Sequence, residues 1–116
     1  MIRLSKSGRA IFLSALLTFA ASAAAVAQQP GITDTEIKFG NIMPYSGPAS
    51  ALSVTGKVFA AYFDMINEKG GVNGRKLNMI SLDDAFSPPK TVEATRRLVE
   101  SDNVAFMFCT MGTAPS

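Results

Sequence analysis

Past residue 36 the chain alternates short apolar runs with longer stretches in which apolar residues return every three to four positions. Residues 37–43 form a mostly apolar run and predict a first strand. Met43-Pro44-Tyr45-Ser46-Gly47-Pro48 follows, and two prolines with a glycine break any regular element there. Over residues 53–69, Val54, Val58, Ala61, Tyr62, Met65 and Ile66 recur at helical spacing. They predict a helix with that stripe turned inward. Gly70-Gly71 ends it, because glycine supplies the left-handed backbone of a helix C-cap, and Asn73-Gly74 turns the chain again. Leu77, Met79, Ile80 and Leu82 mark a second strand, about 76–82. Ser87-Pro88 reads as an N-cap followed by proline in the first helical position. The second helix is predicted to about residue 101, with Val92, Thr95, Leu98 and Val99 inward. The unbroken apolar run 104–109 predicts a third strand, covered on both faces.

The order β-α-β-α-β predicts an α/β fold with a Rossmann-like parallel sheet and right-handed crossovers. Strand order 2-1-3 is expected. Strands one and three are then neighbours whose crossovers leave to opposite sides, and ligands bind beyond the carboxyl ends of strands at such a switch point. The loops aimed there are residues 44–53 and 110–113.

Composition fits a folded domain: 47% of the 116 residues are hydrophobic and 17% charged. The net charge of +2 is unevenly placed. Arg3, Lys6 and Arg9 precede every acidic residue, and the remaining eight cations against nine acids leave about −1. No basic patch is interleaved with aromatics, so nucleic acid is not an expected partner. The three cations, the uncharged apolar run that follows and Ala25-Val26-Ala27 predict residues 1–27 as a signal peptide, cleaved after Ala27, with a periplasmic destination. As a membrane anchor the same run is only marginally long, and it is broken by Ser14, Thr18 and Ser22. No cysteine lies near the cleavage site to carry a lipid. Cys109 is the lone cysteine and sits in an apolar run, so a buried, inert thiol is expected.

Histidine is absent, which removes the commonest general base and metal ligand. No phosphate-binding glycine loop is present, and the loop after strand one lacks the dinucleotide fingerprint. No cofactor, metal or catalytic residue is therefore expected. Asp83-Asp84 are adjacent in extended chain and point to opposite faces, which suits a structural or rim role. Tyr45, Ser46 and Leu52 belong to the first switch-point loop, Thr110, Met111, Gly112 and Thr113 to the second. Hydroxyls and backbone N–H groups at a helix start can hold an anion without a counter-ion, which suits an amino acid α-carboxylate. A plain strand-to-helix connection is the other reading of the second loop.

Several pieces occur together: Ile37-Lys38-Phe39-Gly40, Pro44-Tyr45-Ser46-Gly47-Pro48, Asn67-Glu68-Lys69-Gly70-Gly71-Val72-Asn73-Gly74-Arg75, Asp83-Asp84, Pro88-Pro89-Lys90 and Gly112-Thr113. In this order and spacing the chain resembles the leucine/isoleucine/valine-binding family of type I periplasmic binding proteins, the solute receptors of branched-chain amino acid ABC transporters. The resemblance implies binding without catalysis. It implies two α/β lobes that close on a small ligand, an amino acid or analogue such as a small amide, and deliver it to an inner-membrane ABC permease. Thr113 matches a hydroxyl position that contacts the carboxylate. Leu52 matches a pocket position that is often aromatic, and Ser53 stands where glycine is usual. By the same resemblance residues 28–116 are expected to be the N-terminal part of the leucine-binding domain, a truncated first lobe. The alternatives to transport are a ligand-sensing lobe coupled to a signalling partner, or a fragment without function.

Overall fold

The computed structural model describes residues 29–113 and Pro115; the expected signal peptide lies outside the described residues. Strand β1 is Glu36–Met43 and strand β2 is Lys76–Asp83. They pair in parallel over their whole length, from Glu36 beside Lys76 to Met43 beside Asp83. The crossover between them is helix α1, Ser53–Glu68, preceded by a tight 3-10 turn at Ser50–Leu52. Helix α2 is Pro88–Arg96, with Ser87 as its N-cap and proline at the first helical position. The Ser87 side chain makes no capping bond. Its carbonyl takes the Thr91 amide at 2.9 Å.

The 104–109 segment lies along the other edge of β1. The Ala105 amide donates to the Lys38 carbonyl, the Gly40 amide to Phe106, and the Phe108 amide to Gly40. Gly40 and Met107 form a parallel bridge. The sheet order is therefore β2-β1-segment, the expected 2-1-3. The segment is not the regular strand expected from its apolar run. Cys109 has φ +50°, a left-handed backbone that no continuing strand adopts, and it bends the chain out of the ladder. Cys109 is consequently exposed, not buried.

Two layers cover the sheet. Alternation along β1 sends Phe39, Asn41 and Met43 to one face and Gly40 and Ile42 to the other. Helix α1 lies on the first face, where Phe39 meets the rings of Phe63, Phe106 and Phe108 at 5.1, 5.3 and 5.9 Å. Phe59 and Phe63 of α1 also contact Phe108. Helix α2 and the turn after it lie on the second face, where Ile42, Ala94, Leu98 and Val104 form a buried aliphatic cluster flanked by Ile80, Leu82 and Met107.

Both helical segments turn only part of the expected stripe inward: Ile66 and Thr95 are half-buried and Leu98 buried, while the other residues of the two stripes are exposed. On α1 the inward residues are Gly56, Phe59 and Phe63. Val54, Val58, Tyr62 and Met65 are 40–59% exposed. On α2, Thr91 and Ala94 are buried and Val92 is exposed; in the turn that follows it Leu98 is buried and Val99 exposed. Helix α2 also stops sooner than expected: Arg97–Ser101 is a wider π turn in which the Asp102 amide reaches the Arg97 carbonyl at 3.0 Å.

The glycine-rich turn after α1 behaves as expected. The Gly71 amide returns to the Ile66 carbonyl at 3.0 Å, and Gly71 itself has φ +76°. Asn67 secures the same corner. Its carboxamide accepts from the Leu77 amide at 2.7 Å and donates to the Leu77 carbonyl at 2.8 Å, pairing the outer edge of β2 as a neighbouring strand would.

Candidate ligand site at the carboxyl ends of the strands

Three loops leave the carboxyl ends of the sheet, and the one after β2 joins the other two. Asp83 closes β2 and takes three hydrogen bonds: the Ser46 amide at 3.1 Å, the Ser46 hydroxyl at 2.5 Å and the Ala85 amide at 2.9 Å. The Ser46 hydroxyl is the largest influence on the carboxyl and holds it below the usual Asp value, assisted by backbone N–H groups and opposed by partial desolvation. Gly47 sits so close to the Ala85 carbonyl that a side chain there would clash. The loop after β1 is thereby fastened to the loop after β2.

Asp84 points the other way. It is fully buried and accepts from the Thr91 hydroxyl at 2.6 Å and the Phe86 amide at 2.9 Å, anchoring the first turn of α2. The two aspartates do not converge, and among the described residues no group of three His, Cys, Asp or Glu could hold a metal. Between them, Ala85 and Phe86 both adopt positive φ, 49° and 61°. Backbone of this kind persists where surrounding bonds impose it, here the two carboxylates on the two amides. The turn throws the Phe86 ring onto Gly112, where any Cβ would collide with it. So the loop after β2 also meets the loop after the third segment.

Beneath α1 a second set of bonds crosses the sheet. Asn41 is fully buried, and its Nδ2 donates to the carbonyls of Phe108 and Cys109 at 2.8 and 2.9 Å. That fixes its oxygen as the acceptor of the Ser81 hydroxyl, at 2.7 Å. With the Ser81 hydrogen spent on Asn41, the 2.6 Å bond between Ser81 and Tyr45 is donated by Tyr45. The direction runs one way, from Tyr45 to Ser81 to Asn41 to the bend at Cys109. Gly56 makes room for it, since a Cβ there would strike the Tyr45 hydroxyl.

The residues singled out by sequence thus fall into two groups. Tyr45 and Ser46 have their hydroxyl hydrogens committed, to Ser81 and to Asp83. Leu52 ends the 3-10 turn and is 41% exposed. In the second loop, the Met111 amide is engaged with the Ile42 carbonyl at 3.1 Å, so it belongs to the ladder and is not an anion donor. Thr110 is half-buried and Thr113 exposed. The helix start expected after Thr113 lies outside the described residues. Sequence reasoning passed over Asn41 and Ser81. Their signal was a polar residue among apolar neighbours near the carboxyl end of each strand, at positions that pair across the sheet. Two open grooves, about 380 and 360 Å³, lie along α2, and the second reaches the carboxyl end of β2, where Leu82 and Asp83 line it.

Comparison with known proteins bears on the family and the fold. Residues 36–116 match the family model described as periplasmic binding protein. A Leu/Ile/Val-binding protein homolog 7 of Brucella suis is 35% identical over 107 residues, covering 90% of this chain and 24% of its own. Among solved structures, a fatty acid ABC transporter substrate-binding protein from Thermomonospora curvata superposes with a TM-score of 0.65 at 27% identity, over 76% of this chain and 22% of its own. A possible leucine/isoleucine/valine-binding protein from Rhodopirellula baltica gives 0.64 at 29%, over 71% and 22%. The chain spans about a quarter of the length of these relatives. The sheet order, the joined loops at its carboxyl edge and the match over residues 36–116 together place the chain in the periplasmic binding protein family, as part of a type I lobe.

Proposed function

We propose that the protein is the extracytoplasmic solute-binding component of an ABC importer. Its ligand is a branched-chain or related amino acid, or a small amide, held at the carboxyl ends of β1 and the 104–109 segment. The observation that carries this reading is the junction of loops at the switch point, which is where an open α/β sheet receives a ligand. Two of the three relatives are named for leucine, isoleucine and valine, which supports the solute class, and the third is named for a fatty acid. The hydrogen-bond directions divide the labour. Tyr45 and Ser46 have only lone pairs left to offer, so they suit an ammonium or amide N–H. The hydroxyls of Thr110 and Thr113 are the donors for a carboxylate, and Leu52 contributes apolar surface. The role is binding and delivery to a membrane permease, a reading supported by the relative named as an ABC transporter substrate-binding protein. Residues 1–27 direct export to the periplasm, with cleavage after Ala27.

Calorimetric titration of the full-length protein with leucine, isoleucine, valine, their amides and short carboxylates tests the reading. Saturable binding of at least one ligand is expected. Thr110→Val or Thr113→Val should weaken the carboxylate-bearing ligands about 10- to 100-fold, the range of a hydrogen bond to a charged group. No heat across the panel would sink it.

A further inference from the structure

The segment beside β1 does not keep step with it. The Phe108 amide donates to the Gly40 carbonyl, and the next ladder bond is from the Met111 amide to the Ile42 carbonyl. The segment advances three residues, 108 to 111, where β1 advances two, 40 to 42, so one residue is extra. An unbroken parallel ladder advances two on each strand and would put the Thr110 amide on Ile42. The positive φ of Cys109 lies inside this bulge. Asn41 holds it: its carboxamide donates to the carbonyls of Phe108 and Cys109, and its oxygen is fixed by the Ser81 hydroxyl. Asn41 has no exposed surface, so water cannot take over those bonds if the side chain is changed.

We infer that Asn41 is a positioning residue for ligand binding: by holding the extra residue, it decides which side chains of the second loop meet the ligand. A slip of one residue turns every later side chain to the other face. With Asn41 in place, Met111 occupies the ladder and Thr110 stands outside it. Without Asn41 the segment runs on as a regular strand, Thr110 enters the ladder, and residues 111–113 change faces. The hydroxyls of Thr110 and Thr113 then no longer converge on one carboxylate. Asn41 acts through that loop and does not touch the ligand, since its donors and its oxygen are committed within the sheet. Through Ser81 and Tyr45 the register of the second loop also answers to the first. The inference rests on the reading of Thr110 and Thr113 as carboxylate donors.

Asn41→Leu fills the same space and removes both donors. In calorimetric titration of the full-length protein with leucine, isoleucine and valine, it should weaken binding about 10- to 100-fold, as Thr110→Val does. The two changes should not add: in the Asn41→Leu background, Thr110→Val should cost less than about twofold, because the hydroxyl has already left the site. Amide hydrogen exchange followed by NMR, without ligand, should show slow exchange passing from the Met111 amide to the Thr110 amide. Ser81→Ala lets the carboxamide turn over and should give the same changes in smaller measure, with affinity down about three- to tenfold. It carries the test if Asn41→Leu does not fold. A lower melting temperature with affinity and Met111 protection unchanged overturns the inference, and so do losses that add in full with Thr110→Val. If the natural protein binds nothing in the panel, the solute reading falls alone, and the amide exchange still decides whether Asn41 sets the register.

Discussion

The two faces of the sheet are built on different principles. Under α2 the packing is aliphatic and closed: Ile42 and Leu98 have no exposed surface, and Ala94, Val104, Ile80, Leu82 and Met107 pack with them. Under α1 the packing is aromatic at one end and polar at the other. The phenylalanine cluster is partly open, with Phe106 half exposed, and the buried carboxamide of Asn41 carries a directed set of hydrogen bonds beside it. The aliphatic face holds the elements together and is indifferent to direction. The polar face fixes where the strand ends and the loop begins. Hydrophobic burial is non-directional, whereas a hydrogen bond specifies an orientation.

The sharpest test of the aliphatic face is Leu98→Ala, expected to cost about 3–5 kcal/mol because the cavity it leaves is enclosed on all sides. Urea denaturation followed by circular dichroism would measure it, and a cost near 1 kcal/mol would show that the turn at Arg97–Ser101 collapses into the space. On the polar face, Asn41→Leu should cost about 2–3 kcal/mol through two carbonyls and the Ser81 hydroxyl left unpaired, although it adds apolar volume. A neutral result would mean that these groups find other partners. Smaller again, Gly56→Ala should destabilise by about 1–2 kcal/mol, the clash with Tyr45 outweighing the better helix propensity of alanine. In a Tyr45→Phe background the same change should become neutral or favourable, a coupling that a double-mutant cycle reads directly.

The smallest effect is electrostatic. Asp83 is depressed in the folded protein, so its stabilising contribution is present above the ordinary carboxylate pKa and is lost as pH falls through the lower folded value. The stability difference between the natural protein and Asp83→Asn should therefore hold at neutral pH, begin to fade below about pH 4 and vanish below the lowered folded value. The carboxyl is largely exposed and the effect correspondingly modest. A difference that persists unchanged at low pH would show that shape, not charge, holds the Ser46 loop.

Element order, strand neighbours and the placing of the two crevice loops were legible because they follow from chain connectivity. A parallel pair needs a crossover, and crossover handedness leaves few arrangements. The faces of the helices were only partly legible, for a definite reason. Helix α1 is apolar nearly all round: one stripe is Val54, Val58, Ala61, Met65, another is Gly56, Phe59, Phe63, Ile66. Periodicity alone cannot rank two such stripes. Ring volume decided, since Phe59 and Phe63 fill the space over Phe39 and Phe108 that smaller side chains would leave empty. The bend at Cys109 was hidden for the opposite reason. Its residues read as unbroken strand, and the partner that captures their carbonyls, Asn41, lies 68 residues earlier. The candidate site was read at the level of loops; which hydroxyl hydrogens are available there depends on Asp83 and Ser81, and spacing says nothing of either.

The one-way bonding from Tyr45 to the bend at Cys109 also constrains how such a sequence can drift. Each bond in it has one admissible direction, and the hydroxyl at one end fits only where position 56 lacks a Cβ. Positions 41, 45, 56 and 81 are then one heritable unit, not four independent sites. Among descendants of this chain a side chain at 56 should arrive together with loss of the hydroxyl at 45, and lineages that keep one without the other should be rare.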